Sequence, residues 1–190
     1  MIRLGPASWS ALGVVAALQT AVLGWMVYDR VSLLHHGREI VVEVTPVDPR
    51  DLFRGDYVIF GYPFSQTGEV PVPKGIRVGD AVYVTLAPKD ANVWELVKTE
   101  AAYPATTEPA NVVLKGIASH VWTKDGSGPP TASLRYGIES YFVPEGTGRE
   151  LEELVRDKKI AAVLAVGRHG DAAIKAIMID GKRVVEEPPL

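Results

Sequence analysis

Between residues 46 and 62 the chain reads PVDPRDLFRGDYVIFGY, which sets Asp48, Asp51 and Asp56 beside Arg50 and Arg54 and ends on Tyr57 and Tyr62. Carboxylates at this density can serve general acid–base chemistry, in which one protonated and one ionised carboxyl flank a reacting bond. Interleaved with guanidinium groups and phenol rings they also suit recognition, because tyrosine offers a rigid apolar body with a polar tip. A second polar and aromatic run, YGIESYFVPEG at 136–146, contributes Tyr136, Glu139 and Tyr141. If the two runs pack as neighbours, Arg50, Arg54 and Arg135 meet Asp48, Asp56 and Glu139. Such a cluster is either a buried structural network or a pocket for a peptide, glycan or partner loop. Hydrolysis by a pair such as Asp56 and Glu139 requires the two carboxyls within about 5 to 10 Å across an open cleft.

Each aspartate also has a plain conformational role. Asp48 precedes Pro49, a pair that initiates turns. Asp51 can cap a helical turn made by Leu52 and Phe53. Gly55 can take a positive φ, and Asp56 can fold its side chain over the amides that follow. Pro46 and Pro49 lack an N–H and so bar a regular ladder here.

Other chemistries are excluded or weak. The chain has no cysteine, which removes disulfides, thiolate metal sites and a cysteine nucleophile. His35 and His36 are adjacent and point apart on a helix, while His120 and His169 sit in a strand and a turn. No spaced His/Asp/Glu set is expected to hold a metal, and no cofactor is expected. Net charge is −3 with scattered Lys and Arg, so the basic footprint of a nucleic-acid binder is missing.

The elements that position these residues read as follows. Residues 7–28 are free of charge and of proline and, at about 1.5 Å per residue, reach about 33 Å, enough for a hydrocarbon core of about 30 Å. Trp9, Trp25 and Tyr28 suit the two interfaces. Residues 1–30 are therefore expected to be an uncleaved transmembrane anchor, since a signal peptide has a shorter apolar region and a small-x-small cleavage site. Gln19 within the span prefers a partner on another helix. Residues 31–38 form a spacer, a helical extension ending at Gly37. Basic residues are nearly balanced across the span, but the whole domain follows it, so the carboxyl-terminal part is expected to be extracytoplasmic, on a single-pass protein of the inner membrane.

From residue 39 the apolar period changes to that of strands: 39–45, 57–62, 81–87, 92–98, 111–122, 133–143 with Gly137 as an interruption, 160–166 and 172–179, the last two flanking a loop at 167–171. Thr147 and Glu150 form a capping box, which predicts a helix over 147–158. Residues 39–190 are thus expected to be a β-rich (α+β) domain, an antiparallel sandwich or partly open barrel with one short helix.

The segment Gly55-Asp56-Tyr57-Val58-Ile59-Phe60-Gly61-Tyr62 resembles the GDYXXLXY signature of a family of bacterial proteins, with Phe60 in place of the leucine. Residues 46–54 match the segment leading into it, and 136–146 resembles the family's second block. The resemblance implies a membrane-anchored protein and assigns no activity. Residues 51–60 are also similar to the stretch after the nucleophile of signal peptidases, but the serine position falls on Val47 and residues 48–64 hold no lysine to serve as its base. The expected function is a non-catalytic accessory or interaction module of the envelope, in contact with lipid through residues 7–28 and with another membrane or envelope protein. A carboxylate-pair hydrolase and a purely structural tether are the alternatives.

Overall fold

The computed structural model describes residues 6–46, 57–65, 69–90, 93–123, 128–142 and 160–186. One helix, α1 (Pro6–His36), leads into β1 (Arg38–Glu43), β2 (Thr45–Pro46), β3 (Tyr57–Gly61), β4 (Val70–Pro71), β5 (Ala81–Pro88) and β6 (Trp94–Glu100). There follow β7 (Val112–Thr123), β8 (Pro130–Arg135), β9 (Ser140–Phe142), β10 (Ile160–Val166), β11 (Ala172–Ile179) and β12 (Lys182–Glu186). The expected helix over 147–158 lies outside the described residues, as do Asp48, Arg50, Asp51, Arg54 and Asp56.

Within α1 the stretch Trp9–His36 is long and apolar enough to cross a membrane, with a mean hydropathy of 1.7 and none of its apolar window buried against the rest of the chain. The Thr20 hydroxyl donates back to the Ala16 carbonyl, so its polarity is absorbed by the helix itself. The helix runs through the spacer and stops at Gly37, immediately before β1. That glycine answers a steric demand: a Cβ there would lie 2.5 Å from the Leu33 carbonyl oxygen and 3.1 Å from both the Ala165 Cβ and the Val166 backbone nitrogen.

The last turn of α1 is fastened to the domain. Leu34 is buried, and the helix packs on β10 and β11. Arg38 then donates to three consecutive carbonyls, of Pro109, Ala110 and Asn111, at 2.7 to 2.8 Å. A planar guanidinium is suited to such a set because its fork of N–H groups is fixed.

The strands form a nearly closed antiparallel barrel. Sheet order is β4-β8-β7-β5-β6 in one section and β2-β3-β9 in another. The connection of β8 to β9 joins the two, and the Trp94 indole of β6 donates to the Val41 carbonyl of β1, bringing the free edge round to the strand that precedes β2. A third section, β1-β10-β11-β12, continues from β1. All seven residues of β10 are buried, so this strand is covered on both faces. That explains why its sequence IAAVLAV is an unbroken apolar run.

Two differences from the sequence expectation have physical causes. The run 133–143 is two strands in different sections, because Gly137 takes φ +78° and turns the chain between them. β12 was not anticipated; it follows a tight turn at Asp180 (φ +48°) and Gly181 (φ +77°), the Asp-Gly pair that suits a two-residue hairpin.

Register fixes polarity along the molecule. Arg38 pairs with Val166 next to α1, and Glu43 pairs with Ala161 at the opposite end. Pro46, Tyr57, Phe142 and Ile160, which border the segments 47–56 and 143–159, therefore lie at the end of the domain away from α1.

Candidate functional site

The two signature runs meet. β3 pairs with β9 in the register Tyr57↔Phe142, Val58↔Tyr141, Ile59↔Ser140, and the Phe60 amide donates to the Glu139 carbonyl at 2.8 Å. Proline at 63 presets a turn in which the Ser65 amide returns to the Tyr62 carbonyl at 3.0 Å. The Ser65 hydroxyl accepts from the Tyr62 amide and donates to the Tyr62 carbonyl, so a fully buried serine closes the corner.

Two phenols then brace the gap between the runs. The Tyr62 hydroxyl donates to the Ile138 carbonyl at 2.8 Å, and the Tyr136 hydroxyl donates to the Phe64 carbonyl at 2.6 Å. The braces run in opposite directions, each tyrosine reaching the backbone beside the other. Their rings pack through Phe64, stacked on Tyr62 at 5.5 Å and edge-on to Tyr136 at 5.6 Å, while Phe60 stacks on Tyr141 at 6.2 Å. Gly116 of β7 makes room beneath, since a Cβ there would lie 2.9 Å from the Tyr136 ring.

Glu139 holds the turn. Its carboxylate accepts from the amides of Tyr136 and Gly137, at 2.5 and 2.9 Å, so both oxygens are engaged by the bend that Gly137 makes possible. Burial pushes the Tyr62 and Tyr136 phenols well above their usual pKa, and the nearby Glu139 charge adds to the effect.

The structure thus brings together Tyr62, Tyr136, Glu139 and Tyr141 of the residues singled out from the sequence, and places the three rings inside the fold. Sequence reasoning leaves open a buried network or a recognition pocket; all three rings are buried, and Tyr62 and Tyr136 donate to backbone carbonyls across the two runs. Arg135 does not join them. It is exposed and borders a separate shallow hollow with Val78, His120 and Ser133. Tyr57 is placed as the first residue of β3, and Asp48, Arg50, Asp51, Arg54 and Asp56 fall outside the described residues. Ser65 and Gly116 were missed; the Tyr-Pro-Phe-Ser turn was the available signal for the first, and the second has no local one. Among the described residues no group of three His, Asp or Glu side chains is arranged to hold a metal.

No curated protein and no solved structure matches the chain. A family model does, over residues 19–177, a stretch that takes in most of α1, both signature runs and the strands that unite them. With the tyrosines and the glutamate of those runs interlocked across β3 and β9, the chain belongs to the GDYXXLXY protein family.

Proposed function

We propose that the protein is a membrane-anchored, non-catalytic accessory module whose extracytoplasmic β-domain presents the corner at 47–57 to another membrane or envelope protein. The observation that carries this reading is the rigid junction between α1 and the barrel. Leu34, Gly37 and Arg38 tie the last helical turn to β10, β11 and the 109–111 backbone, with no flexible linker between helix and domain. A helix crossing the bilayer then fixes the height and orientation of everything the barrel displays, which lowers the ordering cost of meeting a partner held in the same membrane. The residues that border the corner, Pro46 and Tyr57, lie at the end of the barrel away from α1.

Glu139 further supports a non-catalytic reading. Its carboxylate binds two backbone amides, a role in turn geometry that leaves it poorly placed to shuttle a proton. The test is co-purification from membranes in mild detergent after crosslinking, comparing the native chain with Asp56→Ala/Tyr57→Ala. Loss of a specific crosslinked protein, with the barrel still folded, is the expected result. Retention of that protein at full yield in the double variant removes the corner as the contact.

A further inference from the structure

Gln19 carries the only side-chain amide of residues 7–28 and stands near their middle, ten residues after Trp9 and nine before Tyr28. At about 1.5 Å per residue each of those aromatic residues is about 14 Å away along the axis, beyond the reach of so short a side chain. The neighbouring Thr20 hydroxyl is absorbed by the Ala16 carbonyl. The Gln19 amide, by contrast, is exposed and makes no hydrogen bond with any described residue. In hydrocarbon an amide without a partner is costly, and only a polar group on another helix at the same depth can meet it.

Helix geometry sets the side on which Gln19 lies. At about 100° per residue it points within about 40° of Leu33 and about 60° of Leu34. Those two residues mark the barrel side of α1: Leu34 is buried, and a Cβ at Gly167 would lie 3.1 Å from the Leu33 Cδ1. Leu12, Leu23 and Met26 are exposed and fall on the same side, so Gln19 is the single polar position in an apolar seam. Ala17 and Ala21 face the opposite way.

The barrel limits what can cover this seam. In a symmetric parallel pair of copies joined through Gln19, both barrels would lie on the shared side, and each helix would have to rise through space that the other copy's barrel fills. A second copy is thereby excluded. Tyr28 and Leu34 are only six residues apart, about 9 Å of helix. A helix that ends beneath the barrel and turns back through a short loop fits that height; one that runs on into a bulky domain does not.

We infer that the Gln19 side of α1 docks a transmembrane helix of a different, multi-pass membrane protein, one that bears an amide, hydroxyl or carboxyl group at mid-bilayer depth. The hydrogen bond to Gln19 sets the register of the pair, as a single polar residue does in an otherwise apolar helix seam. This deepens the accessory reading above, and it rests on that reading and on α1 crossing the bilayer.

The test places a photoreactive benzophenone side chain in the full chain, singly at Leu12, Leu23 or Met26, or at Ala17 or Ala21 on the opposite side, and irradiates native membranes. Discrete protein adducts are expected from the first three positions and not from the other two. With the probe at Met26, Gln19→Leu is expected to lower the adduct yield by about fivefold or more, the loss of one interhelical hydrogen bond, while Gln19→Asn retains part of it. Mass spectrometry should locate the attached peptide in an apolar span next to a short loop of a multi-pass protein. Equal labelling of the two sides, an adduct of two copies, or a yield indifferent to Gln19→Leu overturns the inference. Release of the chain by alkaline carbonate overturns it together with the anchor. A chain that stays in the membrane and keeps a crosslinked protein dependent on Asp56 and Tyr57, but gives no adduct from the seam, loses this contact and keeps the proposed function.

Discussion

A buried phenol that donates to a backbone carbonyl stabilises twice, through its ring and through its proton. Tyr136→Phe keeps the ring and leaves the Phe64 carbonyl without this donor, so a destabilisation of about 1 to 3 kcal/mol is expected from urea denaturation, with Tyr62→Phe in the same range through the Ile138 carbonyl. The same geometry sets a pH limit. Both phenols have folded-state pKa values raised above the unfolded value, so their contribution is complete below about pH 10 and declines as pH rises through and beyond that point. Absorbance at 295 nm should show Tyr62 and Tyr136 ionising only together with unfolding; early, independent titration of either contradicts the brace. The sequence made it legible that these tyrosines and Glu139 belong together, because both signature runs gather the same residue types. It did not disclose that the rings point inward. The Tyr62 bond spans 76 positions, and the same alternation of aromatic and polar residues describes a braced interior as well as it describes an exposed recognition face.

At the scale of elements, two glycines beside Tyr136 separate steric from conformational demands. Gly137 occupies φ +78°, and a Cβ added there would meet nothing within 4 Å, so Gly137→Ala is expected to cost about 1 to 2 kcal/mol through backbone strain alone, with Asn tolerated better. Gly116 has ordinary backbone but lies against the Tyr136 ring, so Gly116→Ala must displace that ring and is expected to cost about 1 to 3 kcal/mol. In the background of Tyr136→Leu the Gly116→Ala cost should fall while the Gly137→Ala cost persists, a distinction that thermal denaturation of the single and combined variants resolves. The longer strands were legible because apolar alternation is local: β5, β7, β10 and β11 sit where the pattern put them. β4 has only two residues and owes its pairing to β8, so no period could reveal it. β12 carried a signal in Asp180-Gly181, outweighed by the charged residues around Val184 and Val185. Gly37 was legible as the end of the helix; that a Cβ there would also meet the Ala165 Cβ and the Val166 nitrogen was not, because those atoms come from β10.

For the whole molecule, the decisive property is that an exposed apolar helix, long enough to cross a membrane, joins the barrel with a single residue between α1 and β1. Residues 9–30 of α1 are open to their surroundings except where Trp25 and Tyr28 meet each other, whereas Leu34 is buried in the domain. A chain beginning at Asp29 should consequently remain in the supernatant after membrane sedimentation and keep the native melting profile, while the full chain sediments and resists alkaline carbonate. A chain beginning at Arg38 loses Leu34 as well and should be less stable by about 1.5 to 3 kcal/mol, the value of one buried leucine side chain. The helix was legible as an apolar run long enough to cross a membrane; the direction of such a crossing was not, because Arg3 on one side and Arg30 and Arg38 on the other give almost no asymmetry to read. The absence of native cysteine makes direction directly measurable. With a single cysteine at Lys182→Cys, exposed at the start of β12, an impermeant maleimide should label intact spheroplasts as fully as lysed ones. Labelling only after lysis would place the barrel and its corner on the cytoplasmic side, and the partner proposed for the corner would have to be sought there.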